Sequence, residues 1–432
     1  MVRADAADMP TPGQVRSASV ADVRPFRALR YGDAAGDLER LVCPPYDVID
    51  EAERESLLAA SPNNAVHLEL PELAYDLVGA LIDGWLGAGV LERAATPAVV
   101  AWTQTFALDD GSTLERKVLL ATVGVEPYDA RVVRPHERTH AGPKADRLKL
   151  LYGARTQISP IYGVYPDGAG AVWAAAAVSG DPQAQATGRD GTVNRVWWID
   201  DPGKCAAITA AMTDRWILIA DGHHRYETAV TYRDERRAAG DGDGPHDWVM
   251  MGLTAIEDPG LVVLPTHRLL NAWPDGADGA FAKTVVASEE SLRSALAHTA
   301  QDAPAFGLVT PDGAWILTAA STGGSSPAAE LDVAVLEDRI LRRAFGKDQA
   351  ALAHDGVLTY TKDAAEAWRL GSSGQVAAAL ILRSMPKAAV TDVAEAGETM
   401  PQKSTYFFPK LLTGVAFHSL EEPLDLWRVP PG

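Results

Sequence analysis

Asp221-Gly222-His223-His224-Arg225 sets a carboxylate, two imidazoles and a guanidinium on one short stretch, directly after the apolar run Arg215-Trp216-Ile217-Leu218-Ile219-Ala220. A buried strand that feeds a glycine turn and then a helix makes an anion site. The first N–H groups of the helix lack internal partners, the helix dipole is positive there, and Arg225 offers a two-pronged donor, so the pattern points to phosphate. A simpler reading has Asp221 cap the helix while the histidines are solvated. It accounts for the aspartate but not for two adjacent histidines beside an arginine. A metal reading competes, since His and Asp are common ligands, yet consecutive helical residues point about 100° apart, so His223 and His224 do not readily grip one ion. One histidine can act as acid, base or donor to phosphate while the other packs, and the spacing leaves open which.

A second cluster comprises Arg134, His136, Glu137, Thr139, Lys144, Asp146 and Arg147 around the run His136-Glu137-Arg138-Thr139. Its cations can neutralise a polyphosphate and Glu137 can take a proton from a substrate hydroxyl, which is the combination phosphoryl transfer needs. An ordinary solvated charged loop has the same composition, and proximity to Asp221 decides between the two. A third cluster, Lys403-Ser404-Thr405, lies inside the proline-bounded aromatic segment Met400 to Lys410. It lacks the glycines of a Walker motif, so the alternatives are a packed C-terminal strand or a group that reaches the substrate. Asn63, Asn64 and His67 read as capping and core groups, and Thr266-His267-Arg268 after a strand carries a comparably weak signal.

From end to end the chain resembles the domain-of-unknown-function family DUF1015. The resemblance rests on Cys43-Pro44-Pro45-Tyr46-Asp47-Val48-Ile49, Pro62-Asn63-Asn64, Arg134 to Arg147, Ile219 to Arg233, Leu264-Pro265-Thr266-His267-Arg268 and Met400 to Lys410. More distantly, the Asp-Gly-His-His-Arg turn resembles the phosphate-binding signature of the superfamily that contains ParB nucleases and CTPases, sulfiredoxins and free L-serine kinases. In the serine kinases a similar turn is paired with an upstream His-Glu, which His136-Glu137 matches. That resemblance implies Glu137 as the base that activates a hydroxyl and Asp221 as an essential partner positioning the hydroxyl or a Mg²⁺ ion. It also implies ATP or ADP as phosphate donor. Gly222, Arg225, Arg134, His136, Lys144 and Arg147 are the expected phosphate or nucleotide ligands, and Thr139, Lys403, Ser404 and Thr405 the expected substrate contacts. Sulfiredoxin chemistry needs a nucleophilic cysteine where His223 stands.

The elements that must position these groups follow from hydrophobic pattern and turn residues. Strands are expected at Val23 to Arg30, Val99 to Leu108, Arg116 to Val125, Val193 to Ile199, Arg215 to Ala220, Trp248 to Ile256 and Leu261 to Leu264. Helices are expected at Leu77 to Leu86, Asp146 to Leu151, after Asp221, at Ala328 to Phe345 and at Ala364 to Gly371. Cys43-Pro44-Pro45 is a rigid turn, with Asp47 or Asp50 capping the next helix. Residues 167–191, rich in Ala, Gly and Asp, read as a surface excursion. The fold class is α+β: a ParB and sulfiredoxin-like mixed sheet over 126–268, an N-terminal α+β region over 23–125, a C-terminal α/β region over 269–432, and a disordered tail over 1–22.

The formal net charge of −19 repels nucleic-acid backbones and anionic membranes, which favours a small molecule and a nucleotide as ligands. Cys43 and Cys205 are too few for a disulfide framework, the polar N-terminus lacks the apolar run of a signal peptide, and no uncharged stretch reaches the roughly 18 residues of a membrane span. A cytoplasmic enzyme follows. The leading expectation is a nucleotide-dependent kinase of a small hydroxyl metabolite, free L-serine first. A phosphatase using the same groups on water is the alternative, and the net charge weighs against a ParB-like nucleotide switch on DNA.

Overall fold

The apolar run before Asp221 becomes an inner strand of a large mixed sheet. In the computed structural model, which describes residues 20–137, 139, 141–300, 303–320 and 326–421, nine strands build this sheet. They are β1 (Val23–Arg24), β2 (Val99–Ala107), β3 (Thr113–Gly124), β4 (Val133–Arg134), β5 (Ile161–Tyr165), β6 (Ala184–Thr187), β7 (Val193–Ile199), β8 (Ile217–Asp221) and β9 (Trp248–Ala255). The spatial order is β4-β8-β5-β9-β3-β2-β7-β6, with β1 on β3. β8 runs parallel to β4 and β9 parallel to β5, while the other neighbours are antiparallel, so the fold is α+β around a mixed sheet. β3 pairs with β9, and the sheet therefore runs across position 125/126.

Side chains alternate across the sheet, and that alternation builds two separate cores. Val100, Trp102, Leu120, Leu218, Ala220 and Met250 share one apolar cluster with Val393, Met400, Phe407 and Leu411 of the C-terminal region. Val99, Ala101, Leu119, Ile217, Ile219 and Met251 share the other with Tyr226 and Ala229. Tyr226 and Ala229 belong to the helix His223–Ala238. One face of β8 thus meets the helix that follows it, and the opposite face meets the C-terminal segment. Whatever stands at the end of β8 is enclosed from both sides.

A second sheet holds, in order, Ala282–Val286, Gly313–Thr318, Ala305–Thr310, Ala378–Ile381, His267–Leu270 and Leu358–Thr361, all antiparallel. The boundary expected at 268/269 falls inside the strand His267–Leu270. The chain also returns to the first region, because Tyr406–Phe408 pairs with Val262–Leu264 and His418–Ser419 with Thr156–Gln157.

Three local expectations are corrected. Val23 to Arg30 is two strands, since Pro25 has no N–H for a ladder: Val23–Arg24 joins the large sheet and Leu29–Tyr31 pairs with Leu91–Arg93. The 167–191 excursion carries a helix, Ala171–Ala176, whose Val172 and Ala176 are buried, and then β6, which completes the sheet edge. The helix expected from Ala328 begins at Asp332 and passes through a wider π-type turn at Glu337–Arg342. Residues 1–19 of the expected tail, and Arg138, lie outside the described residues. No helix among the described residues is long and apolar enough to cross a membrane.

Candidate functional site

β8 ends on Asp221. Gly222 follows at φ +91°, and the helix His223–Ala238 begins at once; with α1 (Glu51–Ala60), α2 (Val78–Gly87) and α3 (Ala141–Ala154) before it, this helix is α4. Positive φ suits glycine, and a Cβ at position 222 would also come within 3.0 Å of the Arg225 guanidinium. No side chain caps α4. The first internal bond runs from Tyr226 N–H to the Gly222 carbonyl, so the N–H groups of the first turn point toward the helix end.

Asp221 is therefore not the cap. Its Oδ1 accepts from Lys410 Nζ at 2.6 Å and its Oδ2 from Arg225 at 2.8 Å. Burial by itself would raise this carboxyl, but the Lys410 ammonium and the Arg225 guanidinium hold it well below the usual range, so it stays ionised. The second nitrogen of the Arg225 fork donates to the Pro160 carbonyl at 2.5 Å, and Nε has no acceptor. Each terminal nitrogen of Arg225 thus puts one N–H into locking the turn. With both Asp221 oxygens given to cations, and no group of three or more His, Cys, Asp or Glu able to hold an ion among the described residues, the donor set does not fit a resident metal at Asp221.

The second cluster reaches this turn through His136. Its backbone N–H donates to His223 Nε2 at 3.3 Å, the two rings meet edge-on at 4.7 Å, and His136 Nδ1 lies 2.6 Å from the Ile219 carbonyl. These partners fix both tautomers: Nδ1 of His136 carries its proton, and Nε2 of His223 does not. Thr405 Oγ1, 2.9 Å from His136 Nε2, can then donate to it. Burial pushes His136 down to about 4 and His223 well below its ordinary value, so both rings are neutral near pH 7. His223 is the packed histidine of the pair, and His224 keeps a half-buried position.

Glu137 comes next. It bridges in parallel with Met400, the Lys403 backbone N–H acts electrostatically on its carboxyl, and it keeps part of its surface open. Burial pushes it up to about 7; the Asp221 charge adds to this, against Lys403 and Lys410. An acid that titrates near neutrality beside one that stays ionised is the pairing from which acid and base roles are assigned.

Other expected groups sit elsewhere. Arg134 donates to the Arg131 carbonyl and lies 4.4 Å over the Trp216 ring, at the far end of β8. Lys144 and Thr139 both bond Glu227, one turn into α4. Arg147 holds the Glu69 carbonyl and Asp146 and stacks 4.4 Å over Tyr46. Ser404 is buried and donates to the Pro401 carbonyl, while the Lys403 side chain is exposed. Lys410 and Asp47 were missed as site residues. In the sequence Asp47 reads only as a cap, a task Asp50 performs, yet its charge acts on both Arg225 and Lys410. Lys410 also lines, with Tyr406, Lys362, Glu53 and Asn194, a cleft of about 130 Å³.

A family model described as protein of unknown function, DUF1015, matches residues 23–334. The chain belongs to this family. Lys403 to Lys410, which close the site, fall beyond the matched span. Similar solved structures include a mutant free serine kinase in complex with ADP, 12% identical, covering 64% of this chain and 84% of its own, with a TM-score of 0.37. SbnI with C-terminal truncation from Staphylococcus aureus is 11% identical over 71% of this chain and 92% of its own, TM-score 0.36. A conserved hypothetical protein from Pyrococcus furiosus is 13% identical over 64% and 87%, TM-score 0.35. No curated protein matches the sequence.

Proposed function

We propose that this chain is a nucleotide-dependent phosphotransferase that phosphorylates a small hydroxyl compound, with free L-serine the first acceptor to test and ATP or ADP the donor. The observation that carries this reading is the junction of Glu137 with the Asp221 turn, made through the His136–His223 contact although the two are far apart in sequence. The outward N–H groups at the start of α4 receive the phosphate being transferred. Glu137 takes the proton of the acceptor hydroxyl as its oxygen bonds to phosphorus; the bond from phosphorus to the nucleotide oxygen breaks, and its electron pair leaves with the nucleotide. Lys410, held by Asp221, puts a fixed ammonium beside that transfer. Neutral His136 and His223 add no charge; they set the distance between base and anion site.

Incubation with Mg²⁺ and either ATP or ADP, with and without serine, followed by phosphorus NMR, tests the reading. A phosphomonoester signal that depends on the acceptor supports it. Free phosphate released equally with and without acceptor would assign the same groups to hydrolysis.

A further inference from the structure

Thr266-His267-Arg268 has no part in that site, yet its arginine leads to it. Arg268 lies on the His267–Leu270 strand of the second sheet and is fully buried. Among the described residues it forms no ion pair. Its guanidinium donates to the carbonyls of Thr266 at 2.5 Å and Lys403 at 3.1 Å, approaches Gln349 Oε1 at 3.4 Å, and lies 5.7 Å from the Tyr360 ring. Burying a guanidinium without a carboxylate is costly, so a fold that keeps one has a use for its direction. Gln349, also buried, donates from Nε2 to the Gln402 carbonyl.

These two contacts converge on one peptide unit. Lys403 has φ +56°, the left-handed region that is strained for a non-glycine residue and that persists only where the surroundings impose it. The Gln402 carbonyl and the Lys403 N–H share a planar trans peptide and point in opposite directions. Gln349 holds the Gln402 carbonyl on the side of the second sheet, so the Lys403 N–H, which acts on the Glu137 carboxyl, is turned away from that sheet, and Arg268 fixes the next carbonyl. We infer that Arg268 and Gln349 are positioning residues for Glu137, acting from the second sheet to aim the Lys403 N–H at its carboxylate. Glu137's role as base rests on the phosphotransfer reading; the aiming of the N–H does not.

Among the described residues, the charges of Asp221, Lys403, Lys410, Arg268 and Tyr360 act with Glu137. Proton–nitrogen NMR of the Lys403 amide in the full chain, without nucleotide or acceptor, tests the inference. In the wild type this amide should shift as Glu137 ionises, with an inflection that Glu137→Gln abolishes. Gln349→Leu and Arg268→Met should shrink or abolish the inflection, and Arg268→Lys, which keeps charge but not the fork, should lose amplitude too. A wild-type inflection in Gln349→Leu and Arg268→Met, with native near-UV circular dichroism, overturns the inference. Should Arg268→Met fail to fold, Gln349→Leu decides alone. If the amide responds as expected but no phosphotransfer is detected, the positioning stands and the functional reading fails.

Discussion

Glu137 carries its burial into both activity and stability. An acceptor proton can be taken only by the ionised form, so the rate of transfer should climb as pH rises through about 7 and fall on the acid side. The same shift destabilises the fold at high pH. Below the ordinary carboxyl value of 4.5 the group is neutral whether folded or not; between there and about 7 the folded chain holds a proton the unfolded chain has lost. Stability therefore declines as pH rises across that window. Glu137→Gln, neutral throughout, should melt above the wild type at pH 8, and the gap should close toward pH 4.5. Thermal melts at the two pH values check this, and a variant that melts below the wild type at pH 8 contradicts it. For Arg225, whose fork is committed to Asp221 and the Pro160 carbonyl, Arg225→Lys should cost the empty protein about 1 to 3 kcal/mol, the range for a buried or charged hydrogen bond left unmade. A urea titration without ligand measures it. An unchanged midpoint would return Arg225 to direct phosphate binding.

At the scale of elements, the strand and helix around the turn were legible because each has a local cause. Ile217 to Ala220 is apolar on both faces, Gly222 permits positive φ, and Tyr226 and Ala229 give α4 a buried side. Gly222→Ala should destabilise the chain by about 1 kcal/mol or more, through positive φ and the 3.0 Å approach to Arg225; equal stability to urea would show that the turn tolerates another conformation. Lys410 was not legible as a partner of Asp221, since the pair joins residues 189 positions apart through a strand pairing that no periodicity announces. Arg134 misled for the opposite reason. It is near His136 in sequence, but it stands at the start of the ladder with β8, so its side chain meets Trp216 and not the turn. The edge strand Ala184–Thr187 hid in a segment of small residues with no apolar alternation to mark it, and it is held by the ladder with β7 and by Ala186 in the core. Charge clusters thus marked segments that the fold brings together, while which side chains meet depended on register.

The molecule as a whole closes the site with chain from beyond the family-matched span. Residues 400–410 pair with Glu137 and with Val262–Leu264, bury Met400 and Phe407 in the core against β8, and bring Lys410 to Asp221. Lys410→Ala would leave a buried carboxylate with Arg225 alone, at a cost of about 1 to 3 kcal/mol. It should also weaken nucleotide binding by removing the fixed ammonium, and isothermal calorimetry separates that loss from the loss of stability. The central claim is that Glu137 and the Asp221 turn act as one phosphotransfer site, and comparing Glu137→Gln with the wild type tests it most directly. Phosphorylated acceptor is measured at saturating Mg²⁺-nucleotide, with nucleotide affinity measured on the same samples. The expected result is transfer by the wild type, a loss of about 100-fold or more in the variant, as for removal of a general base, and unchanged nucleotide affinity. Equal transfer by both proteins, or a wild type that binds nucleotide without phosphorylating any acceptor, would contradict it.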